Sequence, residues 1–472
     1  MMGKSMRIRP ALKQVCAASA CALAVGLGAL PDASAQSLIE ALSNTYNSNP
    51  DLLAARAVLR QTDETLTQAV SNWRPKVTLS FEYNRIEYDG MPVKSSSFNF
   101  SLTGKTTLLQ VTQPIFRGGK TVADTKSAQA NIQAQRALLA DTEQTVMLNS
   151  IQSYADLAQD VGIVDVRRNN VRVLVEQLNA TRERFRVGEL TITDVSQAEA
   201  RLEQAKADLV QAQAQVRIDE ATFVRQIGMR PSKLGDLPLI GALPGSEEEC
   251  VALAMDIAPK SLSAQHKITA ANYGVSSAVS ALLPQVNLIG FTQQQFDLQV
   301  PTDAYFQYGV RLQATVPIYQ NGTEWSTIRQ AKELVGQRRN ELDSARRAAA
   351  ETVIRSWRNL DSARSRVLSF QAQVKANEVA LNGVRQEALV GSRTTLDVLN
   401  AEQELLNSQV SLLQARHDTQ VNYYGVLSGI GRLTARTLGL PVEYYDEERY
   451  YREVGSRWIG DWGAGSESGS RK

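Results

Sequence analysis

An alternation of apolar and polar residues in two separate parts of the chain predicts β-strands. In each part an apolar residue stands at every second position, and the residues between are mostly polar. The apolar positions are Val77, Leu79, Phe81, Tyr83, Phe98, Phe100, Leu102, Phe306, Tyr308, Val310, Leu312, Ala314 and Val316. A period of two with one apolar face is typical of strands. We expect four strands of about ten residues each, lying either in a small soluble sheet or in a membrane.

Two long stretches without proline predict long helices. One lies between Pro114 and Pro231 and the other between Pro317 and Pro441. Both stretches are rich in alanine, glutamine, leucine, glutamate and arginine. These residue types favour helix, whereas proline breaks it, so each stretch is expected to be helical over most of its length.

The first long helix is expected to run from Gly119 to Val187, a length of about 100 Å at a rise of 1.5 Å per residue. Residues spaced by three, four or seven form a seam along it, which predicts packing of the coiled-coil kind. The seam consists of Leu138, Thr145, Leu148, Ile151, Ala155, Ala158 and Val161. Gly188 would end this helix, so a returning helix would complete an antiparallel hairpin. A shorter helix is predicted before the strands, because Asn49-Pro50 is a good capping pair.

The chain consists of two copies of one unit. Short motifs recur at a separation of 203 residues: Pro114-Ile115-Phe116 and Pro317-Ile318-Tyr319, Val187-Gly188 and Val390-Gly391, Asp194-Val195 and Asp397-Val398, and Ile227-Gly228 and Ile430-Gly431. Pro50 and Pro75 match Pro259 and Pro284 at a separation of 209, so the first copy has six additional residues between Pro75 and Pro114. We expect a first repeat at residues 36–245, a second repeat at 246–440 and a C-terminal tail at 441–472.

The first 35 residues have the features of a secretory signal peptide. A basic segment ends at Lys13, an apolar segment of 16 residues follows, and small residues precede a cleavage position after Ala35. A short transmembrane anchor and lipidation at Cys21 are the alternatives, although a span of this length is marginal for a membrane helix. Cleavage would leave Cys250 as the one cysteine of the mature chain, so no intrachain disulfide is expected.

Charge and composition exclude several classes of function. The net charge of the whole chain is +2, but four basic residues and one acidic residue lie in the first 35, which leaves 47 basic and 48 acidic residues. A nearly neutral chain gives no general electrostatic reason to bind nucleic acid. His266 and His417 are too few for a histidine-built metal site, and no phosphate loop, nucleophile elbow or zinc-protease motif occurs. We therefore expect neither enzymatic activity nor a cofactor.

Four strands cannot close a barrel alone, but symmetric copies of the chain can. Small closed barrels have about eight strands and an interior filled with side chains. Two copies would supply eight strands, and three copies would supply twelve with room for a pore. The long helices would be about three times as long as a membrane core is thick, so they would project from such a barrel into the periplasm.

These features together resemble the TolC-type outer membrane factors, which are the exit ducts of tripartite efflux pumps and type I secretion systems. The resemblance covers residues 36 to 440 and rests on the two strand-to-helix junctions and the two turns between the helices. The segments that carry it are Pro114-Ile115-Phe116-Arg117-Gly118-Gly119, Pro317-Ile318-Tyr319-Gln320-Asn321-Gly322, Val187-Gly188-Glu189-Leu190-Thr191-Ile192-Thr193-Asp194-Val195 and Val390-Gly391-Ser392-Arg393-Thr394-Thr395-Leu396-Asp397-Val398.

The resemblance implies a mixed α and β membrane protein. Four β-strands of each chain would contribute to a trimeric 12-stranded β-barrel, and the long antiparallel α-helical hairpins would form a periplasmic α-barrel. It further implies a homotrimer among the lipids of a Gram-negative outer membrane, with a periplasmic adaptor (membrane fusion) protein and an inner-membrane transporter as partners. The cargo would be small toxic compounds, proteins of type I secretion, or both. A secreted, non-porous coiled-coil protein with a structural or adhesive role is the alternative.

The resemblance also implies roles for residues in the turns. Arg393 would act as a gate latch by bonding to Thr193 and Asp194 of a neighbouring hairpin, and Asp397 would form a ring of three carboxylates at a periplasmic constriction. The family has a second aspartate one helical turn further on, where this chain has Asn400. A capping-box role for both aspartates remains open, because each follows a threonine at the required spacing.

Residues at the same turns are candidates for contact with the adaptor. They are Val187, Gly188, Leu190, Val390 and Gly391. Ordinary turn chemistry is the alternative for the glycines, because glycine commonly follows the end of a helix.

The tail after Pro441 is rich in aromatic residues and ends in glycine and serine. Its rings belong to Tyr444, Tyr445, Tyr450, Tyr451, Trp458 and Trp462. They are expected to pack around the outside of the helical barrel as part of an equatorial belt, with a girdle at the membrane interface as the alternative. Acidic residues at 446 to 448 argue against the girdle, and the last residues are expected to be disordered.

Overall fold

The computed structural model describes residues 36–93, 96–235, 237–296, 304–455 and 457–460 of the chain. The helices are α1 (Leu38–Ser48), α2 (Pro50–Ser71), α3 (Lys120–Arg186), α4 (Ile192–Ile227), α5 (Glu247–Ile257), α6 (Pro259–Val279), α7 (Thr323–Leu389), α8 (Thr395–Gly429) and α9 (Arg449–Val454), and a 3₁₀ turn lies at Ser280–Leu282. The strands are β1 (Lys76–Val93), β2 (Ser96–Arg117), β3 (Gln285–Phe296) and β4 (Ala304–Thr315). The predicted signal peptide, Trp462 and the side chains of Phe98, Phe100 and Leu102 lie outside the described part of the chain.

The long helices form where the proline-free stretches predict them. Helices α3 and α7 have 67 residues each, and they are followed by the antiparallel helices α4 and α8 of 36 and 35 residues. Gly119 and Gly322 precede the long helices with a φ of 79° in both copies, a left-handed conformation that favours glycine. The chain therefore contains two hairpins of equal construction. Among the described residues, no helix has both the length and the apolar composition needed to cross a membrane.

Each copy has a short additional helix that is not among the predicted elements. Asn49 caps α2 as predicted, because its side chain accepts hydrogen bonds from the backbone N–H groups of Asp51 and Leu52 at 3.0 and 3.3 Å. The additional helices are α1 in front of α2 and α5 in front of α6, and both have 11 residues. Ser37 and Ser246 cap them, so this matched pair of serines is a signal for both helices in the sequence.

The four strands form one antiparallel sheet in the order β1-β2-β3-β4, so the two copies pair with each other through β2 and β3. Directly paired residues lie on the same face of such a sheet. One face carries Val77, Leu79, Phe81, Tyr83, Leu109, Val111, Phe306, Tyr308, Val310 and Leu312. The other is mainly polar and carries Thr78, Ser80, Glu82, Gln110, Gln293, Gln307 and Arg311, interrupted by Leu108, Ile289, Phe291 and Tyr305. The apolar side chains are exposed, from 38% for Val111 to 79% for Tyr308.

The predicted strand length of about ten residues is wrong for the first copy. Strands β1 and β2 have 18 and 22 residues, whereas β3 and β4 have 12 each. The six additional residues of the first copy fall in this hairpin, and pairing continues as far as Val93 opposite Ser96. A register shift between Tyr88 and Met91 interrupts it once.

The seam predicted on α3 lies partly on the wrong face. Ile151 and Ala155 are buried, but Leu148 is half-buried, and Thr145 and Val161 are exposed. The buried apolar residues of this part of α3 are Leu139, Val146, Met147, Ile151, Tyr154, Ala155 and Leu157. Helix α3 packs against α2, α4, α6 and α8 along its length. The buried stripe of α3 is therefore wider than the narrow seam of a two-stranded coiled coil, and it lies partly on a different face of the helix from the predicted seam.

The main apolar core lies where the two copies meet. It joins residues of α1, α2, α3 and α5, the C-terminal ends of α4 and α8, part of α7 and the segment that follows α8. Tyr154 and Tyr424 are its largest fully buried side chains. Their hydroxyls donate to the carbonyls of Gln36 and Pro238 at 2.7 and 2.6 Å. The core thereby fixes both hairpins, the N-terminal segment and the connection between the copies.

Ile151→Asp should destabilise the chain strongly, because a carboxylate would enter the core without a partner. An unpaired buried charge costs about 3–5 kcal/mol. The exposed Thr145 is the matched control on the same helix, and Thr145→Asp should change the free energy of unfolding by about 0.5 kcal/mol or less. Thermal melts followed by circular dichroism measure both changes. Equal melting midpoints for the two variants would contradict the burial of this face of α3.

Candidate functional site

The candidate site lies at the two turns where the long helices reverse. We call residues 187–191 the first tip and residues 390–394 the second tip. Each tip begins with valine and glycine and ends with a threonine that caps the returning helix. The two tips have the same construction, so the differences between them indicate where their roles differ.

The glycines of both tips are required by the backbone. Gly188 and Gly391 have φ values of 83° and 80°, which L side chains rarely adopt. In the first tip Gly188 and Glu189 donate to helix carbonyls at 3.0 and 2.9 Å, and in the second Gly391 and Ser392 do so at 3.3 and 3.0 Å. This pattern is a Schellman motif, so the turn-chemistry reading of the glycines is confirmed. A Cβ at either position would meet no atom within 4 Å, so close packing is not the reason that these positions are glycine.

Asp194 and Asp397 both complete capping boxes. Asp194 Oδ2 accepts from the backbone N–H and the hydroxyl of Thr191 at 3.0 and 2.7 Å. Asp397 Oδ2 accepts from the same groups of Thr394, both at 2.9 Å. These side-chain and backbone bonds lower the pKa of Asp194, and the backbone and side-chain bonds from Thr394 lower the pKa of Asp397. The capping role of the two aspartates is confirmed, and both are ionised at neutral pH.

Apolar side chains stand exposed at both tips. Val187 is 66% exposed and Val390 is 81% exposed, whereas Leu190 is half-buried. Leu389 and Ile192 are also exposed beside them and were not among the predicted contact residues. Exposed apolar groups at one end of a molecule are typical of a surface that meets another protein. Contact of these residues with an adaptor stays a prediction.

Arg393 is exposed and pairs within its own hairpin, with a residue of α7. Its Nε donates to Glu387 at 2.8 Å, and Glu387, followed by Asp397 at longer range, raises the pKa of Arg393. In the single chain, therefore, the predicted latch residue Arg393 is held by Glu387 of the preceding helix α7. The bond from Arg393 to Thr193 and Asp194 of a neighbouring hairpin stays a prediction.

Asn400 connects the two hairpins within one chain. Its Oδ1 accepts a hydrogen bond from Arg201 of α4 at 3.2 Å. The preceding Leu399 is 2% exposed and packs into an apolar cluster of α3 and α4 that includes Leu202. The place of Asn400 at a constriction stays a prediction. Arg201 and Leu399 were not predicted as site residues, because no sequence motif relates one hairpin to the other.

A salt bridge recurs in both hairpins but is buried in only one. Arg182 and Glu199 join α3 to α4 at 2.5 Å, and Arg385 and Glu402 join α7 to α8 at 3.0 Å. Both partners of the first pair are about half-exposed, whereas the side chain of Glu402 is 4% exposed. Each residue is displaced from its counterpart by 203 positions, the period of the duplication, so the recurrence of Arg and Glu at this spacing is visible in the sequence.

Glu402 is buried because the first hairpin covers it. It lines a cavity of about 230 Å³ between α3, α7 and α8, and its Oε2 has no hydrogen-bond partner. Burial raises the pKa of Glu402, although Arg385 acts in the opposite direction. The second hairpin therefore contains a carboxylate whose ionisation depends on one arginine.

A histidine links the hairpins closer to the core. His417 Nε2 lies 2.6 Å from Asp156 of α3, and Nδ1 lies 3.2 Å from Asp418. Burial lowers the pKa of His417, but the bonds to the two aspartates outweigh it and raise the pKa above its usual value. The contact stabilises the fold below the usual histidine pKa, and this contribution is lost as the pH rises through the raised value. Within the described ranges, no group of acidic, histidine and cysteine side chains is arranged to hold a metal ion.

A sheet with an exposed apolar face is joined to two hairpins with matched tips, and each hairpin contains one 67-residue helix and one shorter helix. This is the arrangement expected of an outer-membrane channel-tunnel. The family model described as outer membrane efflux protein matches residues 41–229 and 253–431. The chain belongs to this family. It is accordingly an outer-membrane protein with a transport function.

Individual relatives are similar over most of their length. The chain is 35% identical to the outer membrane efflux protein BepC of Brucella suis biovar 1 over 431 residues, which cover 90% of this chain and 92% of that protein. It is 26% identical to the outer membrane protein TolC of Escherichia coli K12, covering 86% of this chain and 84% of TolC. A crystal structure of a membrane protein from Pseudomonas aeruginosa shares the fold, with a TM-score of 0.74 and 14% identity over 83% of this chain and 93% of that one.

Arg385→Ala should destabilise the second hairpin, whereas Arg182→Ala in the duplicate pair should have little effect. The first change leaves the buried Glu402 carboxylate without a charged partner, at a cost of about 2–4 kcal/mol. The exposed duplicate pair is worth about 0–1 kcal/mol. Hydrogen exchange of the amides near each tip measures both effects.

The pH dependence of the Arg385→Ala variant provides a control. The pKa of Glu402 is raised in the folded state, so lower pH protonates the carboxyl and should restore much of the lost protection. Equal loss of protection in the two hairpins, or a loss that does not respond to pH, would contradict this account.

Proposed function

We propose that three copies of the chain assemble into one channel-tunnel, the exit duct through which a tripartite pump carries small toxic compounds across the outer membrane. The observation that carries the proposal is the four-stranded sheet with its exposed apolar face. Its outer strands β1 and β4 each pair on one side within the described chain. Backbone groups on an open edge find no partners in hydrocarbon, so a sheet in a membrane has to close on itself.

The number of copies follows from the size of the opening. Two chains would give eight strands, and barrels of that size are filled by side chains. Three chains give twelve strands, whose apolar face would meet lipid and whose mainly polar face would line a pore. The hairpins of three chains would continue the pore into the periplasm as a tunnel about 100 Å long.

The second tips would close the periplasmic end of this tunnel. Arg393 would exchange its bond with Glu387 for bonds to Thr193 and Asp194 of the neighbouring hairpin. Three Asp397 carboxylates would then form a ring, in which like charges attract cations and raise one another's pKa. The capping bonds support this arrangement, because they fix the carboxylate and favour its ionised form. Asn400 would be a neutral position of the same constriction.

The tips would also receive a periplasmic adaptor, which links the tunnel to an inner-membrane transporter. Support comes from the exposed apolar side chains at both tips, chiefly Val187 and Val390. Leu190, Gly188 and Gly391 would shape the same surface. The transporter would supply the energy, since the chain has no nucleotide-binding motif.

The combined change Val187→Asp and Val390→Asp should abolish efflux without preventing assembly. In its own host, deleted for the chromosomal copy, the wild-type chain should restore growth on toxic compounds and the double variant should not. A charge at an apolar contact weakens docking, whereas exposed positions tolerate charge in the folded chain. Both proteins should have the mass of three chains in detergent.

A monomeric mass with full strand content would contradict the trimer, and restored growth with the double variant would contradict the adaptor surface. Export of a substrate protein in the same cells separates the two cargo classes. If the wild-type chain restores protein export but not growth on toxic compounds, the proposed cargo is wrong.

Arg393→Ser should raise single-channel conductance in planar bilayers, because the latch would be released. Asp397→Ala should weaken cation selectivity, because the ring of carboxylates would be removed. It should also cost about 1 kcal/mol locally through the lost cap. Arg184→Ser is the matched control, since Arg184 forms a similar exposed ion pair with Glu189 in the first tip at 3.0 Å. Wild-type conductance and selectivity in intact trimers of both second-tip variants would contradict the gate.

A further inference from the structure

We propose that the end of the described tail, Trp458 and Ile459, lies in the headgroup region of the outer membrane and contacts phospholipid there. The equatorial belt was the expected place for all the aromatic residues of the tail. The structure divides those it describes into two groups, because the tyrosines lie beside the helical core and Trp458 lies beside the sheet. The inference rests on the proposed function in one respect, namely that the sheet spans the membrane.

The tail runs along α2 towards the sheet. Near the start of α2, the guanidinium of Arg56 lies 5.0 Å from the ring centre of Tyr445. Further on, the hydroxyl of Tyr450 donates to Glu64 at 2.7 Å. The hydroxyl of Thr67 then donates to the carbonyl of residue 454 at 3.2 Å. Between Arg56 and the residues that follow the end of α2, the tail therefore extends about 25 Å along the helix axis.

Arg74 fixes the last described segment of the tail at the base of β1. Its guanidinium donates to the carbonyl of Arg457 at 2.7 Å and lies 4.9 Å from the ring centre of Trp458. Strand β1 begins two residues after Arg74. The carbonyl of the neighbouring Trp73 accepts a hydrogen bond from the side chain of Gln113 on β2 at 2.8 Å. The described part of the tail therefore ends where the helices give way to the sheet.

The exposed groups at this place continue the apolar face of the sheet. Gln113 pairs with Leu288, and Leu288 pairs with Leu312. The side chain of Gln113 therefore lies on the apolar face, at the end of the sheet next to the helices. Trp73, Trp458 and Ile459 are 46%, 66% and 96% exposed. Tryptophan is enriched at membrane interfaces, because its ring is apolar while its N–H needs a polar partner. Phospholipid at the edge of the hydrocarbon layer satisfies both requirements.

Two of the acidic residues of the tail are paired beside the helical core and so do not oppose this placement. Asp446 pairs with Arg452 at 2.6 Å, and Glu448 pairs with Arg136 of α3 at 3.1 Å. These acids are neutralised beside the helical core, before the tail reaches the sheet. The objection to a girdle therefore holds for the first part of the tail and not for Trp458.

Spin labels at two positions of the tail test the inference in the full-length protein. Ile459→Cys places a label at the proposed contact, and Glu443→Cys, at an exposed position beside the core, is the matched control on the same tail. Cys250 is fully buried and does not compete for the label, and Cys16 and Cys21 belong to the predicted signal peptide. The protein is reconstituted in bilayers of phosphatidylethanolamine and phosphatidylglycerol. Collisions with oxygen, which concentrates in lipid, are compared with collisions with a water-soluble nickel complex.

The label at 459 should favour oxygen, and the label at 443 should favour the nickel complex. A third label, Leu79→Cys on the apolar face of β1, reports whether the sheet itself lies in lipid. If the label at 79 favours oxygen while the label at 459 favours nickel, the tail inference is wrong and the channel proposal stands. If both favour nickel, the sheet is not in the membrane and both proposals fail. Trp458→Ala should shift the label at 459 towards water, and an unshifted label would contradict anchoring by the indole.

Discussion

The packing of both copies into one apolar core is the interaction on which the rest of the molecule depends. Tyr154, Phe223 and Tyr424 have no exposed surface there, and they come from both hairpins. Towards the tips, the contacts between helices shrink to two small apolar clusters, around Leu202 and Ala212. Long helices gain most of their stability from tertiary packing rather than from propensity. The core therefore sets the direction of the hairpins, and the small clusters set the position of their tips.

Duplication supplied two equal hairpins, and packing made them unequal. The pair Arg182–Glu199 is open to solvent, while its copy Arg385–Glu402 is covered by the other hairpin. The same residues in the same local geometry thus differ in the free energy of ionisation, because water is removed from one of them. The ionisation of Glu402 consequently depends on how closely the hairpins pack, whereas the ionisation of Glu199 does not.

The parts of the fold that the sequence predicts correctly have local causes. Gly188 ends α3, Asn49 caps α2, and the threonine–aspartate spacing at the tips forms capping boxes, all through contacts within a few residues. The buried face of α3 and the bond from Arg201 to Asn400 have distant causes. They depend on how hairpins from different copies pack, and no local pattern contains that information. The pairing of Arg393 with Glu387 lies between the two cases, since the partners are close in sequence, whereas in the proposed trimer Arg393 would exchange this bond for one to a neighbouring hairpin.

The open edges of β1 and β4 also have a genetic consequence. If three chains close one sheet, a single chain with a damaged edge strand prevents closure of the whole barrel. The fraction of intact channels then falls with the cube of the fraction of intact chains. A substitution that blocks edge pairing would be dominant in a cell that also makes normal chains, whereas loss of the same allele would only reduce the number of channels.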